Sequence, residues 1–330
     1  MTQLTSTAMK LLVTGGAGFI GSNYVRWVLG HTDDQVTVYD ALTYAGNEST
    51  LADVAETYGR RYRFVHADIC DLQAFTEAAR GHDAVLHFAA ESHVDRSIAG
   101  PEDFVRTNCV GTNAVMHACR QLGIGRVVHV STDEVYGSVE QGDSLETDPL
   151  EPRSPYSASK AGSDLIALSY HTTYGLPVTV TRSSNNFGPW QYPEKVIPLF
   201  ATNLLDGLKV PLYGDGLNKR DWLFVTDNCR AIDLVLRSGT PGQIYNIGAG
   251  NELTNRDLTE RLLALAGAGE EMIDYVKDRL GHDRRYSVDT AKIRSLGWSP
   301  SRKLEDALDE TFAWYRDNRW WWEPLKVQAH

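Results

Sequence analysis

A tyrosine and a lysine near the middle of the chain have the spacing of a catalytic pair. Tyr156 and Lys160 are four residues apart in the run Tyr-Ser-Ala-Ser-Lys, so a helix would place both on one face. A free phenol has a pKa of about 10 and is a poor base at neutral pH, but a nearby ammonium group together with a cationic cofactor would stabilise its ionised form. The pair predicts a phenolate that takes a proton from a substrate hydroxyl. Because this spacing also occurs by chance on exposed helices, other motifs must support it.

Two adjacent carboxylates follow a predicted strand upstream of the Tyr-Lys pair, in the run Ser131-Thr132-Asp133-Glu134. The carboxyl ends of parallel strands are where open α/β sheets bind ligands. The Thr132 hydroxyl can hydrogen-bond a reacting hydroxyl. Alcohol oxidation needs no acid pair, whereas an elimination requires one acid and one base. Asp133 and Glu134 therefore favour an elimination over the alternative, a solvated acidic turn.

A glycine-rich turn, Thr14-Gly-Gly-Ala-Gly-Phe-Ile-Gly21, links the first predicted strand to the first helix. Gly15, Gly18 and Gly21 permit a tight turn and a close approach of backbone to a pyrophosphate at the helix N-terminus. Asp40 ends the second predicted strand, where an acid accepts hydrogen bonds from the adenosine ribose. A carboxylate there would repel a 2′-phosphate, so the motif predicts NAD rather than NADP.

Two further runs follow the third and fourth predicted strands. Asp68-Ile69 either flanks the adenine or caps the helix predicted from Leu72. Ala89-Ala90 lets the backbone approach the cofactor, and Ser92 could touch a sugar. His93 and Asp95, just beyond, are interpreted as structural hydrogen-bonding groups.

The first half of the chain alternates short apolar runs with amphipathic stretches. Strands are predicted at residues 10–14, 35–39, 62–66, 84–88, 126–131 and 177–182, and helices at 19–29, 72–79, 105–121 and 156–174. This rhythm predicts an α/β fold with a Rossmann-type, doubly wound parallel sheet covered by helices on both faces.

Turns become frequent after Gly188-Pro189, and later helices are predicted at residues 254–266 and 303–316. Phe224-Val225 and residues 244–247 are predicted to be strands that return to the parallel sheet. We therefore predict a cofactor domain of residues 1–188, rejoined by about 223–248. A smaller, interleaved substrate domain would comprise residues 189–222 and 249–330.

Composition excludes several classes of protein. The 330 residues carry a formal net charge of -11, with 42% hydrophobic and 23% charged residues, values typical of a soluble globular protein. A nucleic-acid partner is disfavoured because no basic stripe is present. The sequence contains no run of about 18 apolar residues, so no membrane span is predicted. The first ten residues are polar, so no secretory signal is predicted. The residues before Met9 are predicted to form a loose extension.

The four cysteines suggest neither a metal site nor a redox motif. Cys70, Cys109, Cys119 and Cys229 form no Cys-x-x-Cys pair and have no histidine at metal-ligand spacing. They are predicted to be buried free thiols in a reducing cytoplasm.

Together these motifs resemble the extended short-chain dehydrogenase/reductase superfamily and, within it, the dTDP-glucose 4,6-dehydratases. The likeness extends from about residue 11 to 322. The Thr-Asp-Glu run discriminates best, because many relatives, sugar epimerases included, lack the acid pair. The runs that carry the likeness are Asp40-Ala-Leu-Thr-Tyr-Ala-Gly-Asn47, Ala89-Ala-Glu-Ser-His-Val-Asp-Arg-Ser97, Ser131-Thr-Asp-Glu-Val-Tyr-Gly137, Pro155-Tyr-Ser-Ala-Ser-Lys160, Ser184-Asn-Asn186, Glu194-Lys195, Arg220-Asp-Trp222 and Gly281-His-Asp-Arg-Arg-Tyr286.

The resemblance implies a redox-neutral dehydration of a dTDP-glucose-like sugar. Tyr156, held by Lys160, removes the C4 hydroxyl proton while hydride passes to NAD. Glu134 then removes the C5 proton, and Asp133 protonates the departing C6 hydroxyl. Hydride returns to C6, so NAD stays bound and the product is a dTDP-4-keto-6-deoxyglucose.

The resemblance also implies binding residues, matched position by position. The implied cofactor contacts are Gly15, Gly18, Phe19, Ile20, Gly21, Asp40, Leu42, Thr43, Asp68, Ile69, Ala89, Ala90, Thr107, Tyr156, Lys160 and Asn186. The implied substrate contacts are Ser92, Thr132, Asn185, Glu194, Lys195, Arg220, Asn255, Arg279 and His282. Arg220 and Arg279 suit a diphosphate, because guanidinium offers a planar fork of donors.

Three smaller expectations complete the picture. Leu280 stands where the family often has proline, which would alter the loop before His282. Trp320-Trp321-Trp322 is interpreted as packing near the C-terminus rather than as a ligand site. The family pattern implies a homodimer formed through residues 105–121 and 156–174 of each subunit.

Two alternatives remain open from the sequence. One is a related enzyme, such as a CDP- or UDP-sugar dehydratase or a UDP-glucuronate decarboxylase, since the residues that read the base are not assigned. The other is a catalytically silent NAD-binding regulator on the same fold. The second predicts a damaged Tyr-Lys or acid pair, and both are intact.

Overall fold

The computed structural model describes residues 8–278 and 281–328. Of the loose extension predicted before Met9, residues 1–7 lie outside the described residues, as do Arg279 and Leu280. Twelve strands occur in that part of the chain: β1 (Lys10–Thr14), β2 (Gln35–Asp40), β3 (Tyr62–His66), β4 (Ala84–His87), β5 (Arg126–Thr132), β6 (Val178–Ser183), β7 (Asn185–Phe187), β8 (Val210–Tyr213), β9 (Lys219–Phe224), β10 (Ile244–Ile247), β11 (Glu252–Thr254) and β12 (Ile273–Val276).

Thirteen α-helices occur among the described residues: α1 (Phe19–His31), α2 (Ala52–Tyr58), α3 (Leu72–Ala79), α4 (Val94–Ala99), α5 (Pro101–Phe104), α6 (Thr112–Leu122), α7 (Pro155–Tyr174), α8 (Val196–Leu205), α9 (Val225–Ser238), α10 (Asn255–Ala266), α11 (Ala291–Ser295), α12 (Leu304–Asp317) and α13 (Arg319–Gln328). A π-helix, Val105–Gly111, joins α5 to α6. The predicted helix of residues 105–121 is thus confirmed as part of a longer one that starts four residues earlier.

The main sheet has seven parallel strands in the order β3-β2-β1-β4-β5-β6-β10. This confirms the predicted doubly wound sheet. Strands β2 and β3 are added on one side of β1, and β4 and the strands after it are added on the other side. Helices α1 and α9 pack on one face, and α3, α6 and α7 on the other. Five of the six leading strands are runs buried along most of their length, which are easy to recognise, whereas β3, at the edge of the sheet, has no fully buried residue.

A smaller unit packs around a second core, which includes Phe187, Trp222 and Trp322. It contains a three-stranded sheet, β11-β9-β7, and the parallel pair β12-β8. The prediction that residues 244–247 return to the main sheet is confirmed by β10. The prediction for Phe224-Val225 is wrong, because Phe224 ends β9 in the small sheet and Val225 begins α9. The division into two interleaved domains stays a prediction.

The tryptophans near the C-terminus pack largely as predicted. Trp321 and Trp322 are buried in the second core, and the Trp321 indole N–H donates to the Thr50 hydroxyl at 3.1 Å. Trp320 departs from the prediction, since its side chain is 59% exposed. The four cysteines are free thiols, although Cys70 and Cys109 are only partly buried. Across residues 8–278 and 281–328, no helix is long and apolar enough to cross a membrane.

Candidate active site

The glycine turn after β1 forms a tight backbone cradle. Gly15 has a φ of +67°, and a Cβ there would lie 2.6 Å from the backbone nitrogen of Ala89. A Cβ on Gly21 would collide with the carbonyl oxygen of Gly15, to which Gly18 donates its N–H at 3.2 Å. Only glycine fits at 15 and 21, and the N-terminus of α1 stays open to an anionic group.

Asp40, at the end of β2, is held by the loop around it. Its two carboxylate oxygens accept the N–H groups of Ala17 at 2.9 Å and Leu42 at 2.8 Å. Burial raises the pKa of this carboxyl, while the two backbone donors act in the opposite direction. Leu42 has a φ of +51° and packs against the first core. It therefore positions Asp40 and does not line the cleft with the other predicted cofactor residues.

A cleft of about 840 Å³ opens above the carboxyl ends of the main-sheet strands. Its walls include every predicted cofactor residue except Leu42: Gly15, Gly18, Phe19, Ile20, Gly21, Asp40, Thr43, Asp68, Ile69, Ala89, Ala90, Thr107, Tyr156, Lys160 and Asn186. The Asn186 side-chain oxygen is buried and has no hydrogen-bond partner among the described residues. The glycine cradle, the acid at the end of β2 and this amide fit NAD.

The open question about Asp68 is settled by helix α3. The cap of that helix is Asp71, whose side chain accepts from Ala74 N, so Asp68 does not have the capping role. Asp68 instead lines the cleft and pairs with Arg106 at 2.8 Å. His93 does have the structural role assigned to it, since it accepts the N–H of Arg96 at the start of α4.

Tyr156 and Lys160 lie on the first turns of α7. Ser154 caps this helix in a reciprocal pair with Ser157, and Pro155 occupies the first turn. The Lys160 ammonium is buried and donates to the Val130 carbonyl at 2.8 Å. Burial lowers the pKa of Lys160 to about 8, partly offset by Asp164 one turn further on. Lys160 is therefore still mainly cationic at neutral pH.

The surroundings of Tyr156 make its phenol a weaker acid than a free one. Burial, followed by the negative charge of Glu134, raises the pKa of Tyr156 well above its ordinary value. The neighbouring Thr132 hydroxyl acts in the opposite direction. Lys160 alone thus does not make this phenol acidic. A second positive charge against the ring, such as an oxidised nicotinamide, is required for a phenolate near neutral pH.

The acid pair begins a short 3₁₀ turn, Asp133–Tyr136, at the carboxyl end of β5. Asp133 is only 3% exposed. Burial, then the charge of Glu134, raises the pKa of Asp133 to about 8, although Arg220 opposes the shift. Its Oδ2 has no hydrogen-bond partner among the described residues. Asp133 is therefore protonated at neutral pH and suited to act as a general acid.

A second cleft of about 900 Å³ continues from the first into the smaller unit. Its walls include six predicted substrate residues, of which Arg220, Asn255 and His282 line this cleft alone. The residues that line both clefts are Tyr44, Arg96, Glu134, Asn185, Asn186, Gln191, Tyr192, Glu194 and Lys195. Ser92 and Thr132 line the first cleft. Arg279, also predicted, lies outside the described residues.

Backbone carbonyl groups hold the Arg220 side chain in place. Its guanidinium donates to the carbonyls of Lys219 at 2.7 Å and Asp283 at 2.8 Å, and it lies 4.3 Å from the centre of the Tyr286 ring. His282 is held beside it by Asp278, with Nδ1 and Oδ1 2.6 Å apart. Arg220 therefore presents a fixed guanidinium in the second cleft, which is a group that suits a diphosphate.

The junction of the two clefts is crossed by a lysine from the loop before α8. Lys195 Nζ donates to the Ser92 carbonyl at 2.8 Å, which ties that loop to the end of β4. Burial raises the pKa of the neighbouring Glu194 carboxyl, with Lys195 acting against the shift. The Asn185 oxygen, also at the junction, is buried without a partner among the described residues.

Sequence reasoning missed three residues of the clefts. The Tyr44 ring lies 3.7 Å beneath the Arg96 guanidinium at the junction. Tyr286 faces the second cleft, and its hydroxyl donates to Asp283 at 2.6 Å. Each belongs to a run quoted for the resemblance, but an isolated tyrosine or arginine carries no spacing signal. Among the described residues, no group of His, Cys, Asp or Glu could hold a metal ion.

Comparison with known proteins finds close relatives over nearly the whole chain. The family model described as GDP-mannose 4,6 dehydratase matches residues 12–311. The dTDP-glucose 4,6-dehydratase of Streptomyces niveus is 56% identical over 324 residues and covers 96% of each chain. A crystal structure of dTDP-glucose 4,6-dehydratase from Streptomyces venezuelae with NAD and TYD bound is 57% identical, with a TM-score of 0.94 over 96% of this chain and 100% of that one.

Sugar epimerases share the fold at lower identity. The UDP-glucose 4-epimerase of Thermus thermophilus, in complex with NAD, is 32% identical. It has a TM-score of 0.87 and covers 94% of this chain and 100% of its own. Fold likeness by itself therefore does not separate the two activities, and the side chains at the junction of the clefts must do so.

Proposed function

The chain belongs to the GDP-mannose 4,6 dehydratase family, and from that premise we propose that it converts dTDP-glucose into dTDP-4-keto-6-deoxyglucose with tightly bound NAD. The observation that carries the proposal is the buried, protonated Asp133 beside Glu134, on the same cleft wall as Tyr156 and Lys160. Oxidation alone has no use for a neutral carboxylic acid at this place. Loss of water does, because the leaving hydroxyl must be protonated.

The two clefts suit the two halves of the chemistry. NAD in the first cleft would supply hydride acceptance from C4 and hydride return at C6. The second cleft would hold the diphosphate against Arg220 and His282, which leaves the hexose at the junction. The hydroxyl groups and phosphates of the substrate would be held by the polar side-chain atoms of Ser92, Asn185, Glu194, Lys195 and Asn255.

The side chains at the junction would divide the proton transfers between them. Tyr156 takes the C4 hydroxyl proton, with Lys160 holding positive charge below it and Thr132 hydrogen-bonding the reacting oxygen. Once C4 is a ketone, the C5 hydrogen is acidic, and Glu134 removes it. Asp133 gives its proton to the C6 hydroxyl, which leaves as water. Glu134 then returns a proton to C5.

The function is tested by supplying the purified protein separately with dTDP-, UDP- and CDP-glucose and no added cofactor. We expect a 4-keto sugar, detected by its absorbance in alkali, from dTDP-glucose in preference to the other two. Denaturing the protein should release about one NAD per chain. A preference for UDP- or CDP-glucose would replace the proposed substrate, and activity only with added NADP would contradict the cofactor.

The value of kcat/KM is expected to fall as the pH rises above about 8. Asp133 works in its protonated form and Lys160 in its cationic form, and the pKa of each is about 8. Both forms are present below that pH and lost above it, so the fall should approach a hundredfold per pH unit. The Asp133→Asn variant should lose one of the two ionisations and fall only tenfold per unit. A flat profile to pH 10 would contradict these assignments.

Arg220→Ala is expected to raise KM by about 10- to 150-fold while kcat changes little. A charge-assisted contact to a phosphate is worth about 1.5–3 kcal/mol, and a contact remote from C4 binds ground and transition states alike. Since Arg220 opposes the raised pKa of Asp133, its loss leaves that acid protonated. Arg284→Ala is the matched control, because that arginine pairs with Asp215 near the surface. A fall in kcat with KM unchanged would assign Arg220 to the chemical step.

We also propose that two copies associate through α7 and the helix of residues 101–122. Val105, Val110 and Leu165 are more than half exposed on these helices, and burying them would remove apolar surface from water. Leu165→Glu should therefore give a monomer in sedimentation, whereas Leu145→Glu, on a loop, should not. A wild-type protein that is monomeric at micromolar concentration would refute this proposal.

The free thiols agree with a cytoplasmic location.

A further inference from the structure

This inference rests on the proposed reaction. Each turnover leaves two side chains, Tyr156 and Asp133, in protonation states that differ from those at its start. Tyr156 gains the proton of the C4 hydroxyl, and Asp133 loses the one that departs with water. The proton at C5 is removed and replaced, and the hydride lost from C4 is regained at C6. The sugar is thus balanced, but Tyr156 holds one proton too many and Asp133 one too few. The next turnover cannot start until this is corrected.

One hydroxyl group lies between the two side chains. Thr132 Oγ1 is 3.2 Å from Asp133 Oδ1 and hydrogen-bonded to it. The same hydroxyl lies close enough to the Tyr156 phenol to lower its pKa. It also accepts the N–H of Glu134 at 3.2 Å, which fixes the position of its oxygen. Thr132 therefore hydrogen-bonds the group that lacks a proton and is a neighbour of the group with the surplus one.

We infer that Thr132 relays a proton from Tyr156 to Asp133 after each turnover and so resets the active site. In the transfer, the Tyr156 O–H bond breaks as a new O–H bond forms at Thr132. The original Thr132 O–H bond breaks as one forms at Asp133 Oδ1. Tyr156 ends as phenolate, Asp133 as carboxylic acid and Thr132 as an unchanged hydroxyl. No proton enters or leaves the protein, and no other reactant is consumed.

The hydrogen-bond pattern is satisfied before and after the transfer. Beforehand the Thr132 hydroxyl accepts from the Tyr156 phenol and donates to the Asp133 carboxylate. Afterwards it donates to the phenolate and accepts from the carboxylic acid. In each state the threonine donates to whichever neighbour is anionic, which is the stronger arrangement for a hydrogen bond in a buried site. The backbone does not have to move.

Burial makes the alternative route through solvent slow. Asp133 is 3% exposed, so a water molecule has little access to it. Positive charge against Tyr156 favours movement of the proton towards Asp133, and the oxidised nicotinamide of NAD would supply that charge. The charged or titratable groups that influence the two ends are Glu134, Arg220 and Asp221 for Asp133, and Glu134, Asp133 and Tyr44 for Tyr156.

The test compares Thr132→Val, which keeps the shape but lacks the hydroxyl, with Thr132→Ser, which keeps the hydroxyl. Enzyme containing NAD is mixed with excess dTDP-glucose, and product is sampled by rapid quench. Thr132→Val should form about one product per site and then slow at least tenfold, whatever the speed of its first turnover. Its later rate should fall about tenfold per pH unit on the alkaline side, because Asp133 must then regain its proton from solvent. The wild type and Thr132→Ser should show no such break.

A second readout follows protonation directly. After its first turnover, Thr132→Val should lose the infrared band of a protonated carboxyl group and recover it at the slow rate. Asp133→Asn identifies that band. A linear time course for Thr132→Val, with the same ratio of first to later turnovers as the wild type, would overturn the relay. Failure of the wild type to make the 4-keto-6-deoxy product would instead refute the proposed function.

Discussion

Glu134→Gln is expected to oxidise the sugar at C4 and then stop. Tyr156 and Lys160 remain in place, so mixing with dTDP-glucose should give a burst of reduced-nicotinamide absorbance. Elimination should slow by about 10²- to 10⁴-fold, the usual value of general acid-base assistance, because an amide does not remove the C5 proton. Stopped-flow absorbance measures the burst, and quenched samples measure the product. Turnover at the wild-type rate would remove Glu134 from the role of C5 base.

Asp133→Asn provides the comparison within the same pair. An asparagine still hydrogen-bonds the leaving hydroxyl but is a poor proton donor, so water loss should slow less than in Glu134→Gln. Both variants should show the burst, which separates elimination from oxidation. If neither slowed the formation of product, the acid pair would have no part in the chemistry, and the remaining Tyr-Lys pair would be equally compatible with an epimerase.

Tyr156→Phe is expected to abolish the burst as well as the product. Without the phenol, no group at this position removes the C4 hydroxyl proton, and oxidation should slow by about 10²- to 10⁴-fold. Tyr170→Phe is the matched control, since Tyr170 lies on the same helix but hydrogen-bonds Asn113 at 3.0 Å, away from both clefts. A full burst in Tyr156→Phe would assign the first proton transfer to another group.

The parallel sheet could be predicted from sequence because its strands are short runs rich in β-branched and apolar residues that alternate with amphipathic stretches. The small unit could not, since β7 and β11 have only three residues each and β9 combines three charged residues with three apolar ones. Phe224-Val225 shows the reason for the error. Phe224-Val225 ends a run of four apolar residues that begins at Trp222. Such a run is compatible with a strand, but only tertiary packing decides which sheet the strand joins and where the next helix begins.

The residues of the clefts, like the fold, could be predicted from the sequence only in part. Motifs with fixed spacing gave the glycine turn, Asp40, the acid pair and Tyr156 with Lys160, and all of them line the first cleft. Sequence spacing carried no information about burial. It therefore did not reveal that Asp133 is protonated at neutral pH, or that Glu134 makes Tyr156 a weaker acid. Both effects arise first from burial and then from the charge of Glu134, which folding brings close to these groups.

The central claim is that hydrogen moves from C4 to C6 of one sugar with loss of water, and an isotope measures it directly. The protein is given dTDP-glucose that carries deuterium at C4, and the product is examined by NMR and mass spectrometry. We expect a 4-keto-6-deoxy product with deuterium in its C6 methyl group. Deuterium that remained at C4, or was lost to solvent with no methyl group formed, would contradict the dehydratase.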